Sequence, residues 1–145
     1  MNSVTQHNIG ALLDTVTSVF PQSSGAATIN GSSIDRQAHS MALSCVLHQV
    51  AGAVGGAPTT TSVTTQLQHA PDNSTWTNFV PGATGSGATP AVTAADTESS
   101  VSIDLASAYR YIRAVTTVAF TGGTSPTALV AADVILGGEN TAPAV

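Results

Sequence analysis

From residue 26 onward, apolar and polar side chains alternate, and only short clusters of glycine, proline, serine and asparagine interrupt the alternation. That period of two is the signature of half-buried β-strands, since successive side chains on a strand point to opposite faces. TTTSVTTQLQHA places Val63, Thr65, Leu67 and His69 on one face, and ESSVSIDLA does the same with Val101, Ile103 and Leu105. ALVAADVILGG sets Val130, Ala132, Val134 and Leu136 on a single face. HSMALSCVLHQVAGAV and YRYIRAVTTVAF are long enough and apolar enough to be mostly buried strands. Turn signals stand between them at NGSS, GGAP, PDNS and TGGTSP. Roughly six to eight strands with almost no helix predict an all-β antiparallel β-sandwich or jelly roll over residues 25–138.

Residues 1–24 follow a different rhythm. Ile9, Leu12, Leu13, Val16 and Val19/Phe20 fall at helical spacing behind Asn8 as a cap, whereas Gly10, Thr15, Val16 and Thr17 oppose a helix. The expectation is an N-terminal arm, with one short helix at most, ended by Pro21 and QSSG. Its one-sided residues Ile9, Leu12, Leu13, Val16 and Phe20 are candidates for contacting a neighbour, and removing 1–24 is expected to leave a folded domain. PGATGSGATPA at 81–91 reads as a mobile loop, and ENTAPAV at 139–145 as an exposed tail.

Composition narrows the function classes. Charged residues make up 8% of the 145, against about 25% in an average soluble protein. There is no lysine, and three arginines stand against eight acids for a net charge of -5. Nucleic acids and anionic membranes are bound by cations that neutralise phosphates, so neither is an expected partner. MNSVTQHNIG lacks a basic region followed by an apolar run, and no 18 consecutive residues are apolar, so export and membrane spanning are not expected. Cys45 is alone, which suits a reducing cytoplasm. Thr, Ser and Ala faces of low charge pack against other subunits at small desolvation cost, which points to life in an assembly.

No catalytic or cofactor constellation emerges. On a strand Cys45 and His48 face opposite ways, and His7, His39 and His69 offer no ligand spacing, so no metal is expected. Asp35, His39 and Ser40 are close in sequence without defining a triad, and Asp96, Glu98 and Asp104 read as solvated acids rather than a paired-carboxylate site. The glycine-rich loop lacks a phosphate-binding lysine. Arg110 and Arg113 face opposite ways on one strand. One is expected to pair with an acid such as Asp104 or Asp133, and the other to reach solvent or a partner, with Arg113 a candidate for the subunit or capsid contact. Trp76, the only tryptophan, follows PDNS and is expected to be the cornerstone of a hairpin, packed into the core, rather than a platform for stacking a ligand.

The order of motifs then carries a resemblance. INGSSIDRQ, a long apolar strand, TTQLQHAPDNSTWTNF, a loop, and AYRYIRAVTTVAFTGGTSPTALVAADVILGG together resemble the head decoration, or cement, proteins of tailed bacteriophages, small β-sandwich virion proteins. The likeness spans about residues 26–138 and is carried most by the hairpin at 67–76 and the strand start Tyr109–Arg113. The resemblance implies a non-enzymatic structural protein without cofactors. It would be synthesised in a host cytoplasm and seated on the outer capsid surface as a homotrimer, bridging copies of the major capsid protein. Similar hairpins and R-Y-x-R strands occur in carbohydrate-binding jelly rolls. The alternative is therefore a phage tail or fibre module, or a carbohydrate-binding β-sandwich module, that recognises host glycans, disfavoured by the lack of a second aromatic cluster next to Trp76 in the sequence.

Overall fold

The computed structural model describes residues 9–82 and 85–138 and consists of two antiparallel sheets packed face to face. Its strands are β1 (Asp14–Ser24), β2 (Ala27–Asn30), β3 (Ile34–Asp35), β4 (Ser44–Gly55), β5 (Thr60–Ala70), β6 (Thr77–Asn78), β7 (Thr97–Asp104), β8 (Tyr111–Thr121) and β9 (Thr127–Gly137). One sheet has the order β1-β9-β4-β7 and the other β2-β8-β5-β6, with β3 continuing the β2 edge of β8. The chain crosses between sheets at almost every connection, which is the two-Greek-key connectivity of a jelly roll. The expected all-β sandwich is the observed fold, and helical structure in the described residues is limited to 3-10 turns at Ile9–Ala11 and Arg36–His39.

Alternation in the long strands sets the core. Val63, Leu67, Ile103, Ile112, Val130, Val134 and Leu136 all point between the sheets, as the period of two requires. The interior is not uniformly apolar. Gln49 lies between Leu47 and Ala51 on β4, and Thr65 between Val63 and Leu67 on β5. Thr116 lies between Ala114 and Val118 on β8, and the three form a polar layer separating two apolar clusters. Gln49 Nε2 reaches the carbonyls of Val63 (2.9 Å) and Pro90 (3.1 Å) and Ser99 Oγ (2.9 Å), while its Oε1 accepts from Thr65 Oγ1 at 2.7 Å. The buried polar groups of this layer are thereby satisfied, without which each would cost about 1–3 kcal/mol.

Two expectations are corrected here. Residues 14–24 are no arm: β1 is the edge strand of the four-stranded sheet, antiparallel to β9, with Val19 1% exposed and Val16 packed against the core. Register shifts between Thr17 and Val19 and between Val19 and Gln22 break the period of two, leaving an apolar spacing that imitates a helix. Ser18, buried in the first bulge, joins the sheets: its Oγ accepts from the Ala114 amide (2.9 Å) and donates to the Ser32 carbonyl (2.9 Å). Deleting 1–24 would therefore remove a core strand. The glycine-rich loop is also tied down where it is described. Gly87 and Thr89 exchange backbone bonds with β5, Ala88 bridges Gln66, and Val92 bridges Val63, so residues 87–92 cover the β5 edge beyond β6. Gly87 permits this approach, because a Cβ there would collide with the Phe79 carbonyl. The expected Asn8 cap, His7 and the tail 139–145 lie outside the described residues.

Candidate functional site

The two outer faces of the sandwich differ in chemistry. On the four-stranded sheet, strand register lines up rows of outward side chains: Thr15, Ile135, Val46 and Ser102, then Thr17, Asp133, His48 and Ser100, then Ala131, Val50 and Glu98. The middle row is polar, with Thr17 Oγ1 donating to Asp133 at 2.6 Å and His48 Nε2 lying 3.0 Å from Glu98. Apolar surface flanks it on both sides. Leu13, Leu43, Val46 and Ile135 line one depression of about 330 Å³. Pro21, Val50, Gly52, Leu129 and Ala131 line another of about 260 Å³. Phe20 and Leu129, at 62% and 47%, are among the most exposed large apolar side chains. The face also carries Glu98, Asp104 and Asp133 and no arginine.

The five-stranded sheet turns a mostly polar surface outward: Thr28, Asn30, Thr60, Ser62, Thr64, Gln66, Gln68, Thr117 and Thr121. Its exception is one end. Trp76 lies over the Arg113 guanidinium, 4.4 Å from ring centroid to Cζ, and Arg113 Nε and Nη2 both donate to Gln68 Oε1 (3.0 and 2.8 Å). Gln68 Nε2 in turn donates to Asn78 Oδ1 at 3.0 Å. Two residues along the same strand face, Tyr111 lies beneath Arg110, 5.0 Å away. Tyr109 stacks on His69 at 4.4 Å.

The residues singled out in the sequence divide accordingly. Ile9, Leu13 and Phe20 are exposed, whereas Leu12 is half-buried and Val16 packs on the core. Trp76 is half-buried on the outer surface, and Phe79, 2% exposed, is the aromatic that anchors the hairpin of β5 and β6 inside. Parity explains the exchange: Asn78 opposes Gln68 on the polar face, so Phe79 turns inward and Trp76 outward. Arg110 pairs with Asp35 rather than Asp104 or Asp133, through Nε (2.9 Å) and Nη2 (2.7 Å), and the Arg110 hydrogen bond holds the Asp35 carboxyl below its ordinary range. Asp133 is engaged by Thr17 instead. Among the described residues Arg113 has no carboxylate partner.

Asp35, His39 and Ser40 form no triad, since Asp35 is held by Arg110 and caps Gln37 while His39 Nδ1 bonds Asp14. Cys45 points inward and His48 outward; burial pushes the Cys45 thiol up to about 12, which keeps it protonated at neutral pH. Glu98 and Asp104 stand at opposite ends of β7, about 20 Å apart at 3.3 Å per residue, too far to act on one bond. Among the described residues no group of three His, Cys, Asp or Glu gathers at metal-binding distance, and no helix is long and apolar enough to cross a membrane.

Sequence reasoning missed the outer face of the four-stranded sheet, although its signal was present. Val46, Val50, Leu129 and Ile135 occupy the positions that alternate with the core residues, where a solvated sheet would carry polar side chains. Fold and surface together define a small all-β jelly-roll protein with one apolar and one polar face. No protein-family model matches the chain, and no curated protein matches it.

Proposed function

We propose that this chain is a non-enzymatic virion structural protein that decorates a bacteriophage capsid and stabilises it by bridging neighbouring capsomers. The observation that carries the reading is the apolar, acid-bearing and arginine-free outer face of the four-stranded sheet. Exposed apolar patches on both sides of a polar row mark a protein contact, and they complement a partner surface that is apolar with a basic rim. In the proposed arrangement it seats on the major capsid protein from the outside, with copies grouped as homotrimers about local threefold positions. Each copy then contributes a weak contact, and linkage within the trimer multiplies them. The resemblance of 26–138 to cement proteins and the low charge support the same reading.

The test is the copy number of the protein in purified particles, by quantitative mass spectrometry against the major capsid protein. A ratio near one, or a simple fraction of it, is the expected outcome. A handful of copies per particle would move the protein to the tail, and absence would overturn the reading.

A further inference from the structure

We propose that the end of the five-stranded sheet around Trp76 and Arg113 is a binding site for a carboxylate-bearing saccharide. The site lies on the face opposite the proposed assembly surface, so both can operate in one molecule and neither depends on the other.

The first observation is charge. In a chain with eight acids and three arginines, Arg110 holds Asp35, whereas Arg113 is held by a neutral amide, Gln68. Its positive charge is thus positioned but not compensated. Two of its five N–H groups are used on Gln68 Oε1. Among the described residues, neither its Nη1 nor the Nδ2 of Asn78 has a partner, so unused donors stand beside the guanidinium charge. Donors on a fixed guanidinium match the two oxygens of a carboxylate.

The second observation is the aromatic content. Aromatics are 4% of the sequence, yet Trp76 lies on Arg113 itself and Tyr111 follows two residues along the same face. The electron-rich face of an aromatic ring attracts the C–H hydrogens on the apolar side of a pyranose. Further along this face Thr64, Thr117 and Asn30 carry hydroxyl and amide groups that can donate to or accept from sugar hydroxyls. A protein partner would need a desolvated apolar centre, which this face lacks.

Because Trp76 is the only tryptophan, its fluorescence reports this site alone. The full chain would be titrated with N-acetylneuraminic acid and with glucuronic acid, against N-acetylglucosamine and sodium acetate. The expected result is a saturable change in the millimolar range for at least one acidic sugar, absent with the neutral sugar and with acetate. With Arg113→Gln the affinity should fall by about tenfold or more. In parallel, ¹H–¹⁵N spectra of the unmodified chain should place the shifts at the Trp76 indole and the Gln68 and Asn78 amides, which does not require the variant to fold. No saturable response to either acid, an equal response to acetate, or shifts confined elsewhere would overturn the proposal.

Discussion

Arg36 is 2% exposed, and its partners are four backbone carbonyls rather than an acid: Ala108 (2.6 Å), Tyr109 (3.1 Å), Ala42 (2.7 Å) and Leu105 (3.0 Å). One guanidinium thus fastens the loop entering β4 to the loop entering β8, and no shorter side chain reaches both. Arg36→Met keeps the apolar stem but orphans buried carbonyls, so a loss of about 2–4 kcal/mol is expected in chemical denaturation. His69 makes the fold sensitive to acid. Its Nδ1 accepts from the Tyr109 amide at 3.1 Å, which only the neutral ring can do. Burial, helped by Arg36, holds its pKa below the ordinary 6.5. The unfolded chain therefore takes up that proton more readily, so the stabilisation is full above pH 6.5 and is lost as pH falls through the folded pKa. Asp35 and Asp72, also held below the ordinary 3.8, add their loss only in stronger acid. The melting temperature should drop between pH 7.5 and 5.5, on the order of a few degrees, and His69→Gln should flatten that drop.

Among the elements, β5, β7 and β9 were legible because alternation makes the inward set explicit, down to Val130, Ala132, Val134 and Leu136, and β4 was legible as a long apolar run. β1 was not, because its two bulges shift the inward positions from Val16 to Val19 and then past Pro21, and a strand with two such shifts has no single period. The same limit hid the docking of residues 87–92, whose bonds to β5 use backbone groups that composition does not reveal. Trp76 was misplaced because size favours burial, whereas a two-residue strand lets parity decide. For the candidate faces, residue identity was available and juxtaposition was not: Arg113, Gln68 and Trp76 meet only once β5 and β8 are in register. The integral role of β1 can be measured. A chain beginning at residue 25 should lose its cooperative unfolding transition. Ser18→Ala, which strips partners from the Ala114 amide and the Ser32 carbonyl, should cost about 1–3 kcal/mol with the fold retained.

At the scale of the whole molecule the sandwich separates two kinds of surface. The two apolar clusters and the polar layer between them lie between the sheets, so outward side chains that belong to neither cluster are available for contacts. Val50 and Leu129 project from the middle strands of the four-stranded sheet, and neither belongs to a core cluster. Exposed positions of this kind tolerate substitution within about 0.5 kcal/mol. Leu129→Glu should therefore leave the melting temperature nearly unchanged, while Val50→Glu, directly opposite Glu98, should lower it modestly. Each would, however, place a desolvated charge in any contact formed by this face and add to the acids already there, Glu98 and Asp133. Under the proposed decoration role, the wild type mixed with particles stripped of it should rebind and sediment with them. Either variant should remain in the supernatant, and raising the salt concentration should weaken wild-type rebinding if a basic rim on the partner contributes. Rebinding of both variants at wild-type levels would assign the contact to a different face and remove the principal support for the decoration reading.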